Sequence, residues 1–512
     1  MRQTCWPTQA LLVDAGQWLH QGGVIKADSI DVQADSLTVS TNLQDALRQA
    51  TISAGDIRLR GADIRLSGAK LDATDTLSLS ARNDLTISAA KSSHTADLDV
   101  ISGSMGNRTR GGTEQAGSRM AQVSGQWQQA LGSELNAGGN LSLSAGRDVA
   151  LSGSQVGAAG STRVQAGNDI NIQAETTINT TQLGASSRTS SVNNHRQEER
   201  LTLSSLSGDR GITLVAGNQL LAEGAQVVSQ EGRIGVSAQD VTIKDARIRT
   251  QDQDSENKRR GKTKSHREEQ TERAISIGST FSGQQGVTII GREGDLTVTG
   301  SALHSGQGGI ALQAKRDVIL DHTTDSEHRV SREESRGRKT KGQYAEETLR
   351  ENVLGSTLSG RDGVTVVAQQ GSITATASAL HSDQGGIALQ AKRDVNLNTA
   401  TERESYYSEA YSEKKGFLKK RSSLSVARDA TTREKGTLLS GDGVSVTAGN
   451  DLTVSGSAIA ADRDVNLQAG HNVDIGRGHR ERHALPTGRE EKKRAAGQRW
   501  HRFHARQAVE QT

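Results

Sequence analysis

Residues 309–318 read GIALQAKRDV, and residues 386–395 read the same ten letters. The copies lie 77 residues apart, and Ala-Leu-His-Ser recurs at 302–305 and 379–382 with the same offset. Self-similarity at a fixed period is the signature of a repeat architecture. Within each copy Ile310 and Leu312, or Ile387 and Leu389, alternate with small or polar residues. Period-two alternation marks a strand with one buried face. The Lys315-Arg316-Asp317 punctuation that follows reads as a turn.

Working outward, weaker copies extend the series. Gly211, Gly286, Gly363 and Gly443 open successive units at offsets of 75, 77 and 80, and earlier units begin near Ile57 and Leu141. Each unit holds several short alternating segments, as in Val287/Ile289, Leu296/Val298, Ile310/Leu312 and Val318/Leu320. Val287 and Ile310 are 23 residues apart, as are Val364 and Ile387; the spacing is 22 for Ile212 to Ile234 and 21 for Val444 to Val465. A coil of roughly 21–23 residues is one turn of a β-solenoid. The expected fold is therefore all-β, a right-handed parallel β-helix of about twelve coils, roughly 55–60 Å long at ~4.8 Å per rung.

Composition agrees with a narrow core. Aromatic residues make up 2% of the 512-residue chain, and the only prolines are Pro7 and Pro486. A wide core needs large aromatic side chains, so this one must be filled by Val, Ile, Leu and Ala. The net charge of +3 is misleading, because residues 477–512 hold ten Lys/Arg against four Asp/Glu. The body is slightly acidic, which excludes a general nucleic-acid-binding face. Cys5 is the only cysteine, so no intramolecular disulfide forms. No apolar run is long enough for a transmembrane helix. The first residues, MRQTCWP, are not a signal peptide, so the chain as given is expected to remain cytoplasmic.

The solenoid pattern lapses at about 91–130, 176–206, 251–280, 322–357 and 401–438. These stretches are long and polar and each ends on a similar phrase, such as Leu203-Ser204-Ser205-Leu206-Ser207-Gly208 or Thr357-Leu358-Ser359-Gly360. They are read as lateral arms extruded from equivalent corners, some of them hairpins, and as the least ordered parts of the chain. The organisation expected is an irregular segment 1–19, a β-helix over 20–476, and a basic tail 477–512. Arg494–Thr512 departs in composition from all that precedes it, as a disordered or out-of-frame tail would.

The phrases Ala145-Gly146-Arg147-Asp148-Val149, Ala166-Gly167-Asn168-Asp169-Ile170 and Ala448-Gly449-Asn450-Asp451-Leu452, with the polar arms and the Leu-Ser-Gly returns, resemble the haemagglutinin repeat of filamentous haemagglutinin-type exoproteins. The resemblance spans roughly residues 20–480. It implies a parallel β-helix exported by two-partner secretion through an outer-membrane transporter. It also implies a secreted or cell-surface adhesin that makes multivalent contacts with glycans or proteins of host or bacterial cells. The alternative it offers is the stalk of a contact-dependent growth-inhibition toxin. The family's export signal and secretion domain have no counterpart here, so the chain resembles an internal fragment.

Candidate sites are few. Tyr406, Tyr407 and Tyr411 cluster on the fifth arm of a chain with four tyrosines. The run Lys414, Lys415, Lys419, Lys420 and Arg421 is the strongest basic patch of the body. Exposed aromatic rings stack on sugars or partners, and cations meet phosphates or acidic glycans; equally, the rings brace their own hairpin and the cations are solvated. His304 and His381 occupy matching repeat positions about two coils apart, too far to share a metal ion. Asp209, Asp362 and Asp442 sit in turns without the density of a calcium-binding solenoid. The tail histidines His479, His483, His501 and His504 fit no zinc spacing. No phosphate loop, dinucleotide fingerprint or nucleophile elbow is present. No catalytic, cofactor or metal residue is assigned, and a polysaccharide-acting enzyme lacks the charged cluster it requires.

Overall fold

The computed structural model describes residues 10–43, 49–102, 119–187, 189–477 and 482–483, and the tail beyond Arg477 lies almost entirely outside them, as does Cys5. One coil consists of Ala302–Ser305, Ile310–Ala314 and the strand that opens at Val318. Every such strand runs parallel to, and in register with, its counterparts in the coils before and after. Ile310 stands between Val287 and Val364, and Val364 between Ile310 and Ile387. All four are at most 2% exposed, which fixes the phase of the alternation. The chain is thus an all-β parallel β-helix.

Thirteen short strands form one continuous parallel ladder, one coil beyond the expected twelve, and the shaft is roughly 60 Å long. The extra coil corrects the reading of residues 1–19 as irregular. Leu11–Gln21 is a strand paired in parallel with Ser29–Ser40, from Leu11 opposite Ile30 to Gln21 opposite Ser40. Its alternation breaks phase at Gly16-Gln17 and its outward face carries Leu12 and Leu19, both exposed, so no clean period shows in the sequence.

The core is a single stack of columns. One of them runs Val227, Phe281, Leu303, Leu358, Leu380 and Leu439 in successive coils. Phe281 is its only aromatic member and is fully buried. Beside the apolar columns runs a buried hydroxyl column. The Ser279 amide donates to Ser301 Oγ at 3.0 Å, and the Ser133 amide to Ser154 Oγ at 3.3 Å, which satisfies donors left where strands break at a corner.

The Gly-Asn-Asp phrases acquire a physical role. Asp148 Oδ1 accepts the Asp169 amide at 3.0 Å and Asn168 Nδ2 at 2.9 Å, and Asp169 Oδ1 accepts the Gln219 amide and Asn218 Nδ2 in the coil beyond. Asp394 repeats the arrangement with Asn450 and the Asp451 amide, and these donors hold its carboxyl below the usual range. Each Asp therefore ties its turn to the next coil.

Two kinds of corner alternate along the shaft. At one kind the chain turns back on a single residue in the left-handed region: Gly68, Gly153, Gly224, Gly300, Ala377 and Gly456, with φ between 50° and 61°. At the other kind a hairpin is inserted. The hairpins are Ala90–Ser102 with Arg119–Leu131, Glu175–Ser186 with Ser190–Thr202, Ala246–Arg260 with Thr263–Ile277, the outer part of Val318–Arg336 with Thr340–Gly355, and Ala400–Lys415 with Lys420–Lys435. The corner glycine packs on the base of the next hairpin. A Cβ on Gly300 would stand 2.4 Å from Thr323 Cγ2, and Thr323 is itself buried. Gly300→Ala is therefore expected to destabilise the shaft by roughly 1–3 kcal/mol through left-handed strain and overpacking. Ala377→Gly, where Ala already occupies this conformation against Val353 and Ala400, should be near neutral. Hydrogen exchange over the coils flanking each corner checks the contrast, and equal loss of protection in the two variants would show that the corner conformation does not matter.

The hairpins leave the shaft at equivalent corners, as expected, but they are not independent or irregular. The second strand of each pairs antiparallel with the first strand of the next: Val123 with Leu183, Asn194 with Asp254, Gln270 with Val330, and Tyr344 with Ala410. Among the described residues these ten strands, with the short strand Arg482–His483 paired antiparallel to Lys420–Lys435, form one antiparallel sheet beside the shaft. The geometry is commensurate. Two coils advance the shaft by roughly 10 Å, and one hairpin adds two strands, also roughly 10 Å. One hairpin every second coil keeps both sheets in step.

Candidate functional site

The lateral sheet is mostly polar, with a small apolar patch where Val123 stands between Leu98 and Leu183, and its strands are held by cross-strand pairs. Ion pairs bridge successive hairpins: Arg196 with Asp252 at 3.6 Å, Arg329 with Glu269 at 2.6 Å, Arg273 with Glu327 at 3.1 Å and Arg350 with Glu404 at 3.0 Å. Apart from Glu269, which is half-buried, they are solvent-exposed, and each contributes at most about 1 kcal/mol. The bases of the hairpins are bonded more strongly. Glu402 is 8% exposed; it accepts two bonds from Arg433 at 2.9 and 2.7 Å and the Val353 amide of the preceding hairpin at 3.2 Å. Burial works to raise its carboxyl, and these donors outweigh that and hold it below the usual range. Asp245 accepts Thr323 Oγ1 at 2.8 Å, again linking neighbouring hairpins.

The fifth hairpin carries the residues singled out in the sequence. It brings the cations together and separates the tyrosines. Tyr406 faces Thr348, on the same side of the sheet as Tyr344. Tyr407 and Tyr411 point to the other side. Tyr407 donates to Glu409 at 2.7 Å beneath the Arg428 guanidinium, and Tyr411 donates to Glu413 at 2.8 Å with Lys341 Nζ 6.0 Å from its ring. These carboxylates raise both phenols, and Glu346 pushes Tyr344 up to about 12. The rings brace the hairpin rather than forming one aromatic platform.

Lys414, Lys415, Lys419, Lys420 and Arg421 surround the hairpin tip, closed by the Gly416 amide bonding to the Lys419 carbonyl at 2.7 Å. Glu413 engages Lys420 at 3.0 Å and Lys415 at 3.8 Å. At the apex Phe417 is 98% exposed and Leu418 88%. Pairing of the hairpins extends this basic patch. The tips Lys258–Lys264 (KRRGKTK) and Arg336–Lys341 (RGRKTK) lie alongside, with Lys264 opposite Arg336, Thr340 opposite Lys414, and the Lys415 amide donating to the Lys339 carbonyl at 2.8 Å. The three tips hold fourteen Lys and Arg and no Asp or Glu. The signal was present in each tip, but they are separated by more than seventy residues and only the fold adjoins them.

His304 and His381 sit on the outside of the short-strand ladder with Ser359 between them, and His381 bonds Asp383 at 2.8 Å. No group of three or more His, Cys, Asp or Glu among the described residues is arranged to hold a metal. Among the described residues, no helix is long and apolar enough to cross a membrane.

The haemagglutinin repeat family model matches residues 26–175, 115–193, 255–341 and 337–476. The chain belongs to the haemagglutinin-repeat family. The matched stretches of the haemagglutinin repeat cover both shaft coils and hairpin strands. Over 89 residues, 17% of this chain, it is 54% identical to the 16S rRNA endonuclease CdiA of Enterobacter cloacae. It is 47% identical over 102 residues to the tRNA nuclease CdiA of Escherichia coli, and 33% identical over 193 residues to the tRNA nuclease CdiA-2 of Burkholderia pseudomallei. The chain spans only 3%, 3% and 6% of those proteins' lengths. No solved structure matches this haemagglutinin-repeat chain.

Proposed function

We propose that this chain is the structural repeat region of a bacterial surface exoprotein, a rigid spacer secreted through an outer-membrane transporter as part of a longer protein. The observation that supports it is the unbroken register over thirteen coils with one contiguous core. A stack in which every coil is templated by its neighbours resists bending and transmits position along its length. The relatives' nuclease names describe those proteins, of which this chain matches a few per cent; the repeat region itself is read as non-catalytic. Small-angle X-ray scattering of the purified chain tests the spacer. A particle about 60 Å long with a flat lateral extension is expected, and a flexible-chain profile overturns it.

A second reading is favoured by the fifth hairpin. The cations Lys414, Lys415, Lys419, Lys420 and Arg421 stand at its outer end, with Tyr406, Tyr407 and Tyr411 on the strand behind them, where adhesive contacts to glycans or proteins of another cell would be made. Many such arms on a long shaft gain avidity from weak contacts. Whole-cell binding by the isolated chain separates the readings: a pure stalk binds nothing, and an adhesin binds.

A further inference from the structure

The outer rim of the lateral sheet combines two features. Fourteen cations from three paired tips line one edge, with the nearest acids set back on the strands. Glu256 reaches Lys258 at 2.6 Å and Glu413 reaches Lys420 at 3.0 Å, answering only a small part of that charge. At the same edge Phe417 and Leu418 are the most exposed of the large apolar side chains among the described residues. The strand that leads to their turn, Ala400–Lys415, has 16 residues, so the apex stands roughly 50 Å from the shaft.

Like charges packed along an edge repel unless an anionic surface lies against them. A soluble polyanion would answer the cations and leave the Phe-Leu apex in water. An anionic bilayer answers both, with phosphates for the lysines and arginines and an apolar layer beneath for the two side chains. We propose that this rim is a membrane-docking edge: it lies on an anionic lipid surface, with Phe417 and Leu418 inserted below the headgroups and the flanking cations on lipid phosphates. The inference adds an occupant to the adhesive reading of the fifth hairpin and is independent of the spacer reading. The sheet presents its tips in a row, so the three hairpins engage together. Each cation brought near such a surface strengthens binding by about fivefold.

The test is cosedimentation of the whole chain with vesicles of phosphatidylcholine alone or with about one third phosphatidylglycerol. Binding is expected only to the anionic vesicles, falling steeply between low and physiological salt. F417S/L418S should lower affinity at least tenfold while leaving retention on a sulfated polysaccharide column unchanged. K419E/K420E should lower both. Both positions of the first variant are solvent-exposed, so folding is not at risk, and circular dichroism confirms it. Wild-type chain that ignores anionic vesicles overturns the proposal. So does F417S/L418S bound as tightly as wild type, which would leave a purely electrostatic edge. Either failure leaves the scattering result for the spacer standing.

Discussion

Replacing Ile310 with Asp is expected to cost roughly 3–5 kcal/mol and to open the coils on either side to protease. Ile310 is 2% exposed in a column between Val287 and Val364. A carboxyl placed there meets no partner, whether it stays charged or takes up a proton. Stability in a solenoid is a sum of coil and interface contributions, so the loss is concentrated in the adjoining coils. Glu268→Lys on the third hairpin is the control. Glu268 is well exposed, bonded to His266 at 2.9 Å and opposite Arg332, so the change brings like charges together on a solvated face. It should alter stability by about 0.5 kcal/mol or less. Limited proteolysis with mass mapping compares the two, and cleavage of both at the wild-type rate would show that Ile310 is not in a core.

Phe281→Ala should cost a comparable amount, about 3–5 kcal/mol, for a different reason. Its column offers Val227 and Leu303 above and below, both held in register by the ladder, so neither can collapse into the space a ring leaves. Phe281→Leu should cost about 1 kcal/mol or less, because Leu fills the same column at Leu303, Leu358 and Leu380. Long repeat arrays depart from two-state unfolding, so the measurement is hydrogen exchange over the coils flanking Thr280–Gly283. Unchanged protection there in Phe281→Ala would contradict a packed column.

The shaft was legible because its two signals coincide. Val287, Ile310, Val364 and Ile387 alternate with polar neighbours, and their spacing repeats, so both the inward face and the partner in the next coil follow from the letters. The lateral sheet was not legible as a sheet. In the third, fourth and fifth hairpins Glu, Arg, Ser and Thr follow one another as they would in a loop; only the first hairpin shows alternation, at Ala96/Leu98 and Val123/Trp127. What makes them strands is pairing between hairpins, which only the spacing of the shaft dictates. The tyrosines show the converse error. Tyr406 and Tyr407 are adjacent in sequence and therefore face opposite sides of a strand. The basic patch at Lys414–Arg421 was visible by itself, whereas its continuation through Arg336–Lys341 and Lys258–Lys264 depends on register alone.

The match between two coils and one hairpin sets a quantum for change in such a chain. Duplication or deletion of one whole unit, about 77 residues in the clearest copies, lengthens or shortens the shaft by roughly 10 Å and leaves every remaining strand with its former kind of neighbour. Loss of a single coil would bring two hairpins to adjoining rungs, with four strands competing for the width of two. Unequal recombination between near-identical segments such as 309–318 and 386–395 restores the allowed step, so the gene can vary reach without inventing a new fold.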